Sequence, residues 1–357
     1  MHMKRSIIFL SLSLLACVGC SRRVNPSFDA MVIASDYVKV NSSEDVADAI
    51  QKLIDDNPNR TLYFPDGVYN LSHPVMTPAD PTKSVHLVMG NFATFKAIGE
   101  WGDGGALVHL GGKDPFNTIR VNGSNYGLEG GIFDGSGVAD GISIDSGRET
   151  KVMKVSIKNT HIGLHIKYGA NSGSSDSDIE DVNIVGNDQA NSIGVLIEGY
   201  DNTLTNMRIA SVNVGVMIMS GGNNLKNIHP LYIFADSQDY ESSCGFVVTR
   251  DTNNWLDYCY SDQFCTGFKL SSGVGPNLTD CFAWWYSGKV SSQNAIVCDG
   301  PFSAAVYGMH VGFSEACPVK NILVAEKGGS GVIRSLYQAG KADLSPSDAS
   351  RHYMAKN

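Results

Sequence analysis

The chain has 357 residues, of which 38 are glycine, 18% charged and 43% hydrophobic, and its net charge is −9. This length and apolar share can bury a large core. No run of Lys or Arg lies beyond the N-terminus, which argues against a nucleic-acid partner.

In chain order, residues 1–20 read as a targeting segment. Lys4 and Arg5 give a positive start, and Ile7 to Ala16 form an apolar run too short to span a bilayer. Leu14-Leu15-Ala16-Cys17 resembles a bacterial lipobox, and Cys17-Val18-Gly19-Cys20 is a poorer match. The expectation is export to the cell envelope, with a lipid on Cys17 that leaves the protein periplasmic or anchored to the outer membrane. Cys20 as the lipidated residue, or a plain cleaved signal peptide, stays open.

Residues 21–40 read as a linker and lead-in strand. A helix is expected near 44–56, where Val46, Ala49, Ile50, Leu53 and Ile54 form one apolar stripe. Ser43 is its expected N-cap, and Asn57-Pro58-Asn59 ends it. Thr61 to Leu71 then reads as a strand, a turn and a strand. Residues 76–125 hold β-like stretches (Val85 to Val88, Ala106 to Leu110, Ile119 to Val121) in poor repeat register.

Beyond residue 140 the sequence repeats. A glycine followed by alternating apolar residues starts at Gly141, Gly163, Gly194, Gly215, Gly245 and Gly267. A second strand follows each, entered by a polar residue: Lys154, Asp181, Asn206, Asn227, Asp257 and Asp280. The offset from glycine to that residue is 12 or 13 in five coils and 18 in one. Such spacing predicts an all-β fold: a parallel β-helix (a solenoid) over about 41–340. Variation in length should gather at the other turn of each coil, and Asn and Asp at equivalent corners should bond between coils. The end, 341–357, reads as a polar tail. Six cysteines (Cys244, Cys259, Cys265, Cys281, Cys298, Cys317) lie in the last third without metal-ligand spacing. Disulfides in an exported protein and stacked buried thiols are both open.

Ala49-Ile50-Gln51, Ile54-Asp55 and Thr61-Leu62-Tyr63-Phe64-Pro65-Asp66-Gly67-Val68-Tyr69 resemble the opening of the pectate lyase superfamily, in its rhamnogalacturonase/epimerase-like branch. The resemblance is close over roughly 40–75 and extends to 335 only as repeat architecture. This resemblance implies a single-stranded right-handed parallel β-helix with the helix near 44–56 as an N-terminal capping helix. It implies an exported polysaccharide-active protein: a glycoside hydrolase or polysaccharide lyase on an acidic or plant-type glycan. The alternative is a non-catalytic glycan-binding or adhesin-type β-helix lipoprotein. Gly131 to Gly137 and Asp140 to Ile144 resemble early coils of polygalacturonases. Asp140 matches one Asp of their motifs; the Asp-Asp pair, Gly-His-Gly and Arg-Ile-Lys are not found in order.

Strand alternation selects two candidate grooves. On the glycine strands, Ser143 and Asp145, His165 and Lys167, Leu196 and Glu198, Met217 and Met219 should face out. Asp145 and Glu198 would lie two coils apart, about 9–10 Å at the coil spacing, near the separation of an inverting carboxyl pair. Lys167 would lie between them. A surface ion-pair ladder explains the same residues. On the second strand the outward column reads Arg208, His229, Cys259, Phe282 and His310, with Trp284 one step along and Trp285 and Tyr286 after it. Arg208 and His229 are the catalytic candidates there, and Trp284 and His310 the substrate-binding ones. Arginine pairs a sugar carboxylate, histidine moves protons, and aromatic faces stack on sugar rings. Packing under a loop is the alternative. No cofactor is expected. Asp176, Asp178, Glu180 and Asp181 would be the one place for Ca²⁺, but they lack the residues of an EF-hand loop. The oligomeric state is not readable.

Overall fold

The computed structural model describes residues 31–339 except 103–104, 115–126, 169–173, 234–238, 250, 272, 287–292, 314–318, 326 and 328. The expected lipidation site, Cys317 and the polar tail lie outside the described residues.

The described chain is a parallel β-helix. One sheet has ten strands and a second has 21, the latter bent into two ladders. Each coil therefore has three faces. Asp140–Ile144 lies on the glycine face, Lys151–Met153 on a second face and Ser156–Thr160 on a third. The chain then returns to the glycine face at Ile162–Ile166, in parallel register with Ile142 opposite Leu164. Residues 76–125, which looked irregular, also supply strands in register: His86–Met89, Ala93–Ala97 and Ala106–Lys113.

The repeat follows from packing. Ile142, Leu164, Val195, Val216, Phe246 and Phe268 stack inward in successive coils, each fully buried. Each such side chain contributes roughly 1.5–3 kcal/mol. The glycine before each of them is required by close approach. A Cβ on Gly141 would lie 2.3 Å from the Gly163 carbonyl oxygen, and one on Gly215 2.4 Å from that of Gly245.

The bend between second and third faces needs a left-handed residue. Lys154, Asp181, Asn206, Asn227 and Asp280 adopt φ between 48° and 56° there, a region Asn and Asp tolerate best. Asn227 Nδ2 donates to Asn206 Oδ1 at 2.8 Å across coils, as the corner expectation required. In one coil the bend falls on Tyr258, φ 53°, rather than on Asp257. A one-residue slip exchanges inside and outside. Cys259 therefore points into the core, fully buried, and Tyr260 takes the outward position expected of Cys259.

From bend to next glycine there are nine residues at Lys154–Gly163, Asn206–Gly215 and Tyr258–Gly267, but 13 at Asp181–Gly194 and 18 at Asn227–Gly245. Length variation does gather at this turn. The insertion that lengthens one glycine-face turn lies outside the described residues. At that turn in later coils Asn202, Asn223 and Asn254 form a buried ladder. Asn202 Nδ2 donates to Asn223 Oδ1 at 3.0 Å, and Asn223 Nδ2 to Asn254 Oδ1 at 3.2 Å.

The capping helix runs Ala47–Asp56 and begins later than expected. Asp45, not Ser43, receives the first free amide: its Oδ1 accepts from Ala47 N at 3.0 Å and from Ser72 N at 3.0 Å. Ala47, Ile50, Leu53 and Ile54 cover the end of the core, while Ala49 is exposed. Gln51 accepts from Met76 N at 2.8 Å and donates to Met76 O at 3.0 Å, which closes the free edge of the first glycine-face strand. Cys244, Cys259, Cys281 and Cys298 are free and buried, and Cys265 is buried as well. Burial pushes the Cys244 and Cys298 thiols up to about 12, with nearby hydrogen bonds opposing this at Cys244.

Candidate functional site

On the glycine face, Met76, His109, Ser143, His165, Leu196, Met217, Val247 and Lys269 form one outward column. The column beside it holds Asp145, Lys167 and Glu198, whose amides bond to Leu110 O, Ile144 O and Ile166 O. The register thus gathers Asp145, Lys167, His165 and Glu198 on one patch. It also adds His109, which the sequence reading did not single out. The position that carries glycine in later coils is Leu107 here, so the repeat gave no marker; the alternation Val108-His109-Leu110 was the available signal.

Two histidine–carboxylate pairs result. His109 Nδ1 lies 2.8 Å from Asp145 Oδ2, and Ser143 Oγ donates to Asp145 Oδ1. Lys167 Nζ stands 3.4 Å from Asp145 Oδ1. Gly112 leaves room for this pair: a Cβ there would lie 2.6 Å from His109 Cβ and 3.3 Å from Asp145 Oδ2. Ser146 Oγ donates to Gly111 O at 2.6 Å and fixes the turn after Asp145. Burial would raise the Asp145 carboxyl, but the hydrogen bond and charge of His109, the Ser143 hydroxyl and Lys167 outweigh it and bring it down to about 2. Asp145 is a permanent carboxylate across the neutral range.

The second pair is more open. His165 Nε2 lies 2.9 Å from Glu198 Oε2, with side chains 17% and 35% exposed. An ionised carboxylate only accepts, so Nε2 carries the proton and Nδ1 is the acceptor of the neutral ring. Lys167 therefore pairs with Asp145, and Glu198 with His165. The lysine is not shared between the two carboxylates. Asp140 is elsewhere: it accepts from Ile162 N at 2.8 Å, and burial raises its carboxyl against that bond.

The third face is arranged differently. The register sets Arg208 opposite His229, and Phe282 opposite His310. Arg208 Nη1 turns to the carbonyls of Met207 and Asn227, at 3.1 and 3.4 Å. His229 stacks on Tyr260 with centroids 4.1 Å apart, and its Nε2, buried from solvent, lies 3.5 Å from Asp262 Oδ2. Burial, with Asp262 beside it, raises the Tyr260 hydroxyl. Tyr260, Phe282, Trp284, His310 and Tyr337 continue the column ring on ring, at 4.7 to 6.0 Å. Trp284 covers Gly312, where a Cβ would lie 2.2 Å from its ring. Trp285 points inward and donates to Phe264 O at 2.6 Å. His229 and Tyr260 lie face to face and cover each other, whereas Phe282 meets His310 edge-on and Tyr337 stays exposed.

Among the described residues no three His, Cys, Asp or Glu side chains gather as a metal site. Asp178 and Glu180 alternate with buried Ile179 and point to solvent, and Asp176 pairs with Arg148 Nε at 3.3 Å.

No protein-family model matches the chain, and no curated protein matches it. Solved structures do. Endo-xylogalacturonan hydrolase from Aspergillus tubingensis matches with a TM-score of 0.58 at 13% identity, over 90% of this chain and 97% of that one. The exopolygalacturonase of Thermotoga maritima matches at 0.57 and 11%, over 87% and 88%. The A-module of Azotobacter vinelandii mannuronan C-5 epimerase AlgE6 matches at 0.53 and 12%, over 88% and 96%. With strands, register and neighbours in agreement, the chain has the parallel β-helix fold of these pectate lyase-like proteins.

Proposed function

We propose that the protein is an exported, lipid-anchored enzyme that cleaves an acidic polysaccharide by proton abstraction on its glycine face. The observation that carries this is the His165–Glu198 pair, open to solvent, beside a lysine clamped by a permanent carboxylate. In a uronic-acid polymer the proton next to the carboxylate becomes removable when a cation faces that carboxylate. Lys167 supplies the cation. His165 Nδ1 takes the C5 proton, and Glu198 holds the ring in the tautomer that can accept it. The C4–O bond breaks as the C4–C5 double bond forms, and the leaving oxygen takes a proton from solvent. His109, Ser143 and Asp145 position Lys167. A glycoside hydrolase would need a carboxylic acid that keeps its proton near neutral pH; Asp145, at about 2, does not serve as one.

The test is a panel of acidic and neutral polysaccharides assayed for unsaturated ends and for reducing ends. Unsaturated products are expected, with His165→Ala and Glu198→Gln lowering kcat/KM by roughly 10²–10⁴-fold and Lys167→Ala raising KM. Reducing ends without unsaturation would replace elimination by hydrolysis. Binding without any cleavage would make the protein a glycan-binding β-helix. Membrane fractionation of Cys17→Ala and Cys20→Ala variants tests the anchor.

A further inference from the structure

The second face carries aromatic side chains that differ in kind from the stacked column on the third. Trp255 and Tyr307 both point outward from the sheet, each 42% exposed. Neither ring contacts another ring among the described residues. Register places Trp255 opposite Asn277 and Asn277 opposite Ala305, with Tyr307 two residues further along the same strand. The two rings are thus two coils and two residues apart, about 12 Å on the diagonal from the standard sheet spacings. Tyr258 lies on the coil of Trp255, at the bend one residue beyond the column of Tyr307, and is 60% exposed.

Tyr258 is the telling residue. It takes φ 53°, a conformation that other coils give to Asn, Asp, Lys or Ser. A bulky side chain is disfavoured there, and this ring recovers little burial in return. The fold alone would be better served by Asn at this bend. The polar residues around the rings suit a sugar polymer: Asn277 and Thr279 lie between them, and the column that holds Tyr307 reads Lys226, Asp257, Thr279, Tyr307 and Arg334, two cations to one carboxylate. Neither cation forms an ion pair among the described residues. An extended polysaccharide that crosses the coils obliquely, along the line from Trp255 to Tyr307, passes over both rings.

We propose that Trp255, Tyr258 and Tyr307 form a second glycan-binding surface, for an acidic polysaccharide lying obliquely across the coils, on a different face from the site around His165. Its role is to hold polymer rather than to cleave it. It stands whether or not the cleavage reading does, because it concerns binding at separate residues.

The experiment measures binding of the full chain to soluble polygalacturonate, alginate and a neutral β-glucan, by affinity electrophoresis and calorimetry, together with thermal unfolding and solution mass. Tyr258→Asn is the discriminating variant. It should raise the unfolding temperature by relieving the bend, yet weaken binding to the acidic polymers several-fold. Trp255→Ala and Tyr307→Ala should each weaken binding about tenfold with the fold intact, and added salt should weaken it further. Unchanged binding in the triple variant would overturn the proposal, as would failure of the wild-type chain to bind any polymer in the panel. A change of solution mass in Trp255→Ala without loss of glycan binding would also overturn it, by assigning the patch to self-association. Loss of cleavage in His165→Ala with polymer binding retained is the expected sign that the two faces act separately.

Discussion

Replacing Asp145 by Asn tests the charge arrangement of the glycine face without changing its shape. The folded carboxyl stands at about 2 against an ordinary 3.8. That difference, at 1.36 kcal/mol for each pH unit, amounts to about 2 kcal/mol of stability at neutral pH. The sign is fixed by which state binds protons. The folded carboxyl is the stronger acid, so the native state holds fewer protons than the unfolded chain. The stabilisation is complete above about pH 5, falls to roughly half at pH 3 and is gone below about pH 2. The side chain is only 21% exposed, so solvent screens it weakly. Equilibrium urea unfolding at pH 7 and pH 3 measures this directly. Asp145→Asn should be less stable than wild type by about 2 kcal/mol at pH 7, with a smaller deficit at pH 3. An Asn variant as stable as wild type at pH 7, or a deficit that does not shrink in acid, would refute the reasoning.

Two further outcomes follow from the core. Asn223→Ala removes the middle of the buried Asn ladder and leaves the backbone and side-chain N–H groups of Asn202 without their acceptor; the cost should be about 1–3 kcal/mol, read as a lower urea midpoint. Cys244 and Cys298, with thiols pushed up to about 12, should resist alkylation in the native protein at neutral pH and react only on unfolding, which mass spectrometry of labelled peptides would show.

The fold was legible because its rule is local and repeated. The Gly141 to Gly267 series marks strand starts, and polar residues mark the bends. Legibility failed where one coil departs from the rule. Tyr258 occupies a bend that elsewhere favours Asn or Asp, so alternation set from Asp257 placed Cys259 outside and Tyr260 inside. All of the glycine-face patch except His109 was legible for the same reason as the fold: Ser143, Asp145, Lys167, His165 and Glu198 follow from alternation alone. Their pairing was not, since which cation meets which carboxylate depends on rotamers and on His109 from a coil without a glycine marker. On the third face His229, Phe282, Trp284 and His310 were placed outward from residue type and period, Tyr260 and Trp285 were not, and the contacts between rings cannot be read from either.

The unequal turns between bend and glycine have a consequence for how such a molecule can change. Added residues at 181–194 and 227–245 leave strand register untouched, because the strands on either side of them keep their parallel pairing. Insertion and point substitution therefore act on different parts of the surface. A seam running the length of the solenoid accepts new loops, and the three faces vary one side chain at a time. A new loop on that seam could overhang the glycine face and reshape access to His165 without moving it.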